Sequence, residues 1–175
     1  DRDLAREVRM SHPVFQNAVP AHFEEHSLEV QVPFLQETVP ELKIVPIYIG
    51  VQDSSNITAL AEVLAKTLVD RNPLVVATTD LSHFHSYETA LRKDKALIAR
   101  FEKGNAEEIY EAYVQEEAEA CGMGPVLTSI LLAQKMKWSG PRLVRYANSG
   151  DVTGERNSVV GYAAMAFTEK DTGHS

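Results

Sequence analysis

The stretch VVATTDLSHFH, residues 75 to 85, ends an apolar run in two threonines, an aspartate, a serine and two histidines. Asp80 and His83 stand three apart. If the chain turns into helix there, both side chains project to one side, which suits a shared metal ion or an imidazole oriented by a carboxylate. The competing reading has Thr78, Thr79 and Asp80 capping a turn and His83 bonding a buried carbonyl. His85 reads as a rim residue. A second group is EACGMGPV, residues 119 to 126. Cys121 precedes a helix opened by Pro125, and the N-terminal dipole favours the thiolate, which is both nucleophile and metal ligand. The alternative is a small buried hydrophobe beside a tight turn. Gly122 and Gly124 let backbone come close to a bound species.

Two further segments carry chemistry-bearing residues. EEHS, Glu24 to Ser27, offers Glu24, Glu25 and His26, with His22 four residues before His26. Solvated helix charges account for the glutamates but less readily for His26. NSGDVTGERNS, residues 148 to 158, is either an ordinary hairpin loop or the carrier of Asn148, Ser149 and Asp151 to the sheet edge where Asp80 lies. The second option requires 143–146 to run parallel to 74–77.

The elements that must position these groups alternate between helix and strand. Residues 1–10 are helix-like, with Leu4, Ala5 and Val8 on one face and SHP ending the run. Residues 42–49 read as a strand closed by Gly50. Ser54 or Ser55 caps a helix in which Ile57, Leu60, Ala61, Leu64 and Leu68 follow the i, i+3, i+4, i+7 rule. Residues 74–77 are a short continuous apolar run, the pattern of a strand buried on both faces of a parallel sheet. Helical blocks follow over 87–102, 106–119 and 126–137, and two more strands over 143–146 and 159–167. Residues 25–35 stay ambiguous: Leu28, Val30 and Val32 alternate as in a strand, while Leu28, Val32 and Leu35 fit a helical face. Strands spaced by helices mean an α/β layered fold, and a polar cluster directly after an apolar strand falls where open α/β sheets bind ligands.

Composition narrows the class. The 175 residues, 44% hydrophobic and 24% charged, can bury one substantial core, so a single domain over 1–175 is expected. A formal charge of -8 without a basic run argues against nucleic acid or an anionic membrane surface as main partner. Apolar runs fall far short of the ~20 residues of a spanning helix, and the expected location is cytoplasmic. The single cysteine excludes an internal disulfide. The chain opens at DRDLAREV, without Met and already inside an amphipathic pattern, and is expected to be the C-terminal part of something longer.

Four ordered motifs carry a resemblance: EHSLEVQVPFL (25–35), TTDLSH (78–83), ACGMGP (120–125), and YANSGDVTG (146–154) followed by VVGYAA (159–164). Together they resemble the Memo-like proteins, also called AmmeMemoRadiSam system protein B, across essentially the whole chain. That resemblance implies the fold of class III, LigB-type non-haem iron extradiol dioxygenases, a three-layer α/β/α sandwich with a mixed, mostly parallel sheet. It implies that 25–35 is helical and that His83 matches the dioxygenases' acid/base histidine. It further implies that Asp80 lines the pocket and that Cys121 stands at a metal-binding position, with His26, Glu25, Asn148, Ser149 and Asp151 lining the pocket. Family members begin with about a hundred more residues, whose two histidines are the other implied ligands; the first strands of the sheet are expected to be missing with them. The implied metal is Fe(II), with copper or zinc as alternatives, bound weakly by this chain alone. The implied activity is metal-dependent redox chemistry on an unknown small molecule, with a link to radical SAM system proteins. The alternatives are a non-catalytic module binding a phosphopeptide or protein, and a hydrolase with Cys121 as nucleophile, His83 as base and Asp80 as orienter.

Overall fold

The computed structural model describes residues 1–17, 19–23 and 25–168. Helix α1 (Arg2–Met10) is capped by the Asp1 side chain, which accepts from Leu4 N–H, and buries Val8. After a 3-10 turn at Val19–His22 comes α2 (Val32–Thr38). Helix α3 (Ser54–Leu68) buries Ile57, Leu60, Ala61, Val63, Leu64 and Leu68; its cap is Asp53, one residue before the serines expected to serve, because the Asp53 carboxylate reaches the Asn56 N–H at 2.8 Å. Strand β1 (His83–His85) leads into α4 (Tyr87–Lys103), which ends at Gly104 in the left-handed conformation. Then follow α5 (Ala106–Val114), α6 (Met123–Lys135), β2 (Arg142–Asn148), the short α7 (Gly150–Thr153) and β3 (Val159–Ala166).

The result is a mixed α/β fold whose described strands form one antiparallel sheet in the order β1-β3-β2. Register runs from Arg142 opposite Ala166 to Asn148 opposite Gly161, and His83 lies opposite Val160. Helix α4 covers this sheet, while α6 packs between α3 and α5. Ile57, Leu81, Leu97, Phe101, Met123, Leu127 and Ile130 lie in the larger core cluster, and Val8, Leu60, Leu64, Leu68 and Leu132 in the smaller. Helix α6 contributes to both, with Met123, Leu127 and Ile130 in the larger and Leu132, nearer its C-terminus, in the smaller.

Several expectations are corrected. Residues 42–49 and 74–77 form no strand and enter no ladder: no backbone amide in either segment donates to a backbone carbonyl among the described residues. A strand needs a neighbour to pair with, and the described sheet lies elsewhere. The run 74–77 is also not buried on both faces. Val75 packs into the smaller core, while Leu74 is 71% exposed and Val76 46% exposed. Strand β2 pairs antiparallel with β3 at the edge of the described sheet, so among the described residues 143–146 forms no ladder with 74–77. Helix α5 stops at Val114, where Glu116 takes a positive φ of 60°, and α6 starts at Met123 with Pro125 in its first turn. The segment 25–35 is helical only from Val32 onward, with turns before it.

Candidate metal centre

Asp80 and His83 come together, though not on a helical turn. The chain over 78–82 is irregular, tied to β3 by Leu81 N–H to Gly161 O and Gly161 N–H to Ser82 O, both 2.9 Å. A register shift between His83 and His85, with Phe84 at φ 60°, then aims the His83 ring back along the chain. Its Nε2 lies 3.7 Å from Asp80 Oδ2.

Cys121 arrives from the turn before α6 and is exposed, so the reading of an inert buried cysteine is overturned. Asp80 N–H donates to its Sγ at 3.1 Å, Cys121 N–H donates to Asp80 O at 3.3 Å, and Gly122 N–H donates to Thr79 Oγ1 at 2.8 Å. Gln52 clamps the same turn, accepting from Gly124 N–H at 2.5 Å and donating to Cys121 O at 2.9 Å. Glycine is required at 122 because a Cβ there would sit 2.5 Å from Thr78 O and 2.8 Å from Thr79 Cβ. The two ligand-bearing segments therefore touch backbone to backbone. One donor atom from each of Asp80, His83 and Cys121 then lies within 4.8 Å of the others. A carboxylate, an imidazole and a sulfur so placed fit a borderline or soft transition ion better than calcium or magnesium, which prefer all-oxygen shells.

Glu119 and His85 also belong here, and the sequence reading did not single out the first and set the second aside as rim. Glu119 Oε1 accepts from His83 N–H at 2.9 Å; Oε2 lies 2.9 Å from His85 Nε2 and 3.0 Å from Lys93 Nζ. Burial pushes the Glu119 carboxyl up, but the His85 ring, the His83 amide and Lys93 outweigh it and hold the group at about 2. Its folded value is below the ordinary 4.5, so the stabilisation it brings is full above pH 4.5 and is lost as pH falls toward 2. The stability gap between the protein and its Glu119→Gln variant is therefore expected to narrow over that interval in urea melts. A gap that stays constant from pH 5 to about 2 would contradict the charge network. The Tyr162 hydroxyl, on β3, is pushed up by burial and then by the Asp80 charge.

The remaining expected residues serve other contacts. His26 pairs with Glu29 at 2.9 Å on an exposed surface, and Glu25 accepts from Ser27 N–H at 2.6 Å; the Ser27 side chain and then this amide lower its carboxyl. Neither belongs to the donor group; from this segment it is Gln31 that reaches Thr78 Oγ1, at 3.4 Å. His22 packs edge-on against Tyr48, and Glu24 lies outside the described residues. Asn148 Oδ1 accepts from Gly150 N–H, Ser149 Oγ accepts from Val160 N–H, and Asp151 accepts from Tyr87 O–H and Asn148 N–H. These bonds shape the β2–β3 connection, and the Tyr87 hydroxyl in turn lowers the Asp151 carboxyl. No described helix is long and apolar enough to cross a membrane.

The comparisons with known proteins agree with the motif reading. A family model for Memo-like proteins matches residues 1–166. A MEMO1 family protein of Thermotoga maritima is 39% identical over 149 residues, covering 84% of this chain and 52% of that protein. One from Methanobrevibacter smithii is 37% identical over 149 residues, covering 84% and 53%, and one from Aquifex aeolicus is 36% identical over 163 residues, covering 93% and 61%. The chain thus spans about half to three fifths of the length of these curated relatives. With a family model over nearly all of its length, and relatives 36 to 39% identical over most of it, the chain belongs to the Memo-like protein family.

Proposed function

We propose that this Memo-like chain contributes the Asp80–His83–Cys121 side of a transition-metal centre that supports redox chemistry of the non-haem iron dioxygenase type on a small molecule. One observation carries the reading: donor atoms from two segments nearly forty residues apart meet within 4.8 Å. When bound, an Fe(II) ion supplies open coordination positions and Lewis acidity, with copper or zinc as competitors at a site softened by sulfur. Cys121 would supply the sulfur donor, and the Asp80 amide that donates to it holds it in place. His83 is placed either to ligate or to take a proton from a bound acidic hydroxyl through Nε2, the nitrogen facing Asp80. A phosphopeptide-binding module would use the same residues without turnover, and it is the reading to adopt if no metal binds.

The finer fold belongs to the same proposal. In a LigB-like three-layer α/β/α sandwich with a mostly parallel sheet, 42–49 and 74–77 are inner strands. Their alternating exposure, backbone amides that donate to no backbone carbonyl among the described residues, and the apolar groove of about 520 Å³ beside them support this. In such a fold the additional length of the relatives supplies both the neighbouring strands and further ligands.

The test compares this chain with a full-length relative, each purified anaerobically and titrated with Fe(II) and Zn(II). We expect stoichiometric metal in the relative, lost when its equivalent cysteine is replaced, and binding weaker than micromolar by this chain alone, since fewer donors hold the ion. Metal-free relative, or tight binding here that survives Cys121→Ala, contradicts the centre. Amide exchange over 42–49 checks the fold: slow in the relative, fast here. Fast exchange in both contradicts the inner-strand assignment.

A further inference from the structure

We infer that Glu119 is the positioning residue of this centre: it braces the His83–His85 turn against the Cys121 turn and so aims the His83 ring at Asp80 and Cys121. The inference rests on the metal-centre reading for its purpose but on separate contacts for its geometry. Glu119 lies two residues before Cys121, in the loop between α5 and α6, so its backbone travels with the thiol. Its carboxylate spans the other segment, with Oε1 on His83 N–H at 2.9 Å and Oε2 on His85 Nε2 at 2.9 Å. Lys93 of α4 closes the set at 3.0 Å from Oε2. One side chain thereby joins both ligand-bearing segments to the helix that covers the sheet.

Phe84 explains why a brace is needed. It stands between the two residues that Glu119 grips, at φ 60°, where a non-glycine residue is strained, and its side chain is 76% exposed, so core packing does not hold it there. The left-handed turn lets the His83 amide and the His85 ring reach one carboxylate together. In that turn His83 Nδ1 also lies 3.9 Å from Glu119 Oε1, while Nε2 faces Asp80 on the other side. The ring is thus bracketed by two carboxylates, and at 3.9 Å the Glu119 side acts by charge rather than by a direct hydrogen bond. Without Glu119, Phe84 is free to relax toward an ordinary backbone conformation, which swings the His83 ring away from Asp80.

The experiment uses the full 175-residue chain with ¹⁵N-labelled histidine, metal-free and then with Zn(II). In Glu119→Ala, and in the isosteric Glu119→Gln, the His83 and His85 amide and ring signals should move while those of His12, His22 and His26 stay. Zn(II) affinity should fall about tenfold or more. Phe84→Gly placed in the Glu119→Ala background should recover part of that loss, because glycine adopts the left-handed turn without strain. A residue that only supports the fold would not be rescued in this way. Unmoved His83 signals in both variants overturn the inference. So do shifts spread over all histidines in Glu119→Gln, which would mark a general loss of structure. If His83 and His85 move selectively but Zn(II) binds no variant and not the parent, the brace stands and the metal reading fails.

Discussion

An Asp94→Ala variant is expected to lose about 3 to 5 kcal/mol of stability, seen as a melting temperature lower by roughly 10 °C. Asp94 lies on α4 with only 1% of its surface exposed, and its carboxyl group is shared by two elements. Oδ1 accepts from Ser82 N–H at 3.0 Å, and Oδ2 accepts from Tyr146 O–H at 2.8 Å. Alanine leaves both donors without a partner, each costing about 1 to 3 kcal/mol, and adds a cavity. Burial and then the Asp94 bond push the Tyr146 hydroxyl well above its ordinary value, as expected for a proton held between two groups out of water. The geometry also accounts for glycine in VVGYAA, since a Cβ at Gly161 would occupy the space of the Asp94 carboxylate. Asp94→Asn keeps an acceptor and should cost clearly less. Melting of Asp94→Ala within about 2 °C of the parent would show that Ser82 and Tyr146 find other partners.

How much of this was legible in the sequence depends on whether the signal was local. The α3 helix was legible because its apolar period and its cap lie within a few residues of each other. The 42–49 and 74–77 segments announce extended backbone through alternation and β-branched residues, yet a ladder is a relation between segments, and nothing in either run names its neighbour. Asp80, His83 and Cys121 stood out by type, but the spacing argument that joined the first two invoked a helical turn. The structure joins them instead through β3 pairing and the left-handed Phe84. Glu119 was one glutamate in EEAEA, and only the fold shows that its neighbours Glu116 and Glu117 point elsewhere, Glu117 to Arg100. His26 drew attention because it stands beside Glu24, Glu25 and His22, but an exposed partner three residues before α2 begins satisfies it locally.

Gly122→Ala is expected to separate the two halves of the centre. A glycine-to-alanine change in a loop is neutral or mildly stabilising where the native backbone conformation and the space around it suit alanine. Here the obstacle is the Thr78 carbonyl at 2.5 Å from the added Cβ, which belongs to the backbone and cannot rotate away. The turn must therefore move off the 78–80 segment, giving up the Gly122 N–H to Thr79 Oγ1 bond at 2.8 Å. The Cys121 N–H to Asp80 O bond at 3.3 Å and the Asp80 N–H to Sγ contact at 3.1 Å go with it. Overpacking and lost bonds of this kind cost about 2 to 4 kcal/mol. The effect on chemistry should be larger than on folding, since a shift of about an ångström at Sγ opens the donor group while the α6 core stays packed. Iodoacetamide labelling of Cys121 reads this directly: Zn(II) should slow labelling of the parent and leave the Gly122→Ala rate unchanged. Gly140→Ala, whose added methyl meets nothing closer than 3.9 Å, is the control and should keep the protection. Equal protection in the parent and in Gly122→Ala would mean that the sulfur reaches its partners without the backbone contact. The close approach of the two segments would then be packing, and not the device that assembles the centre.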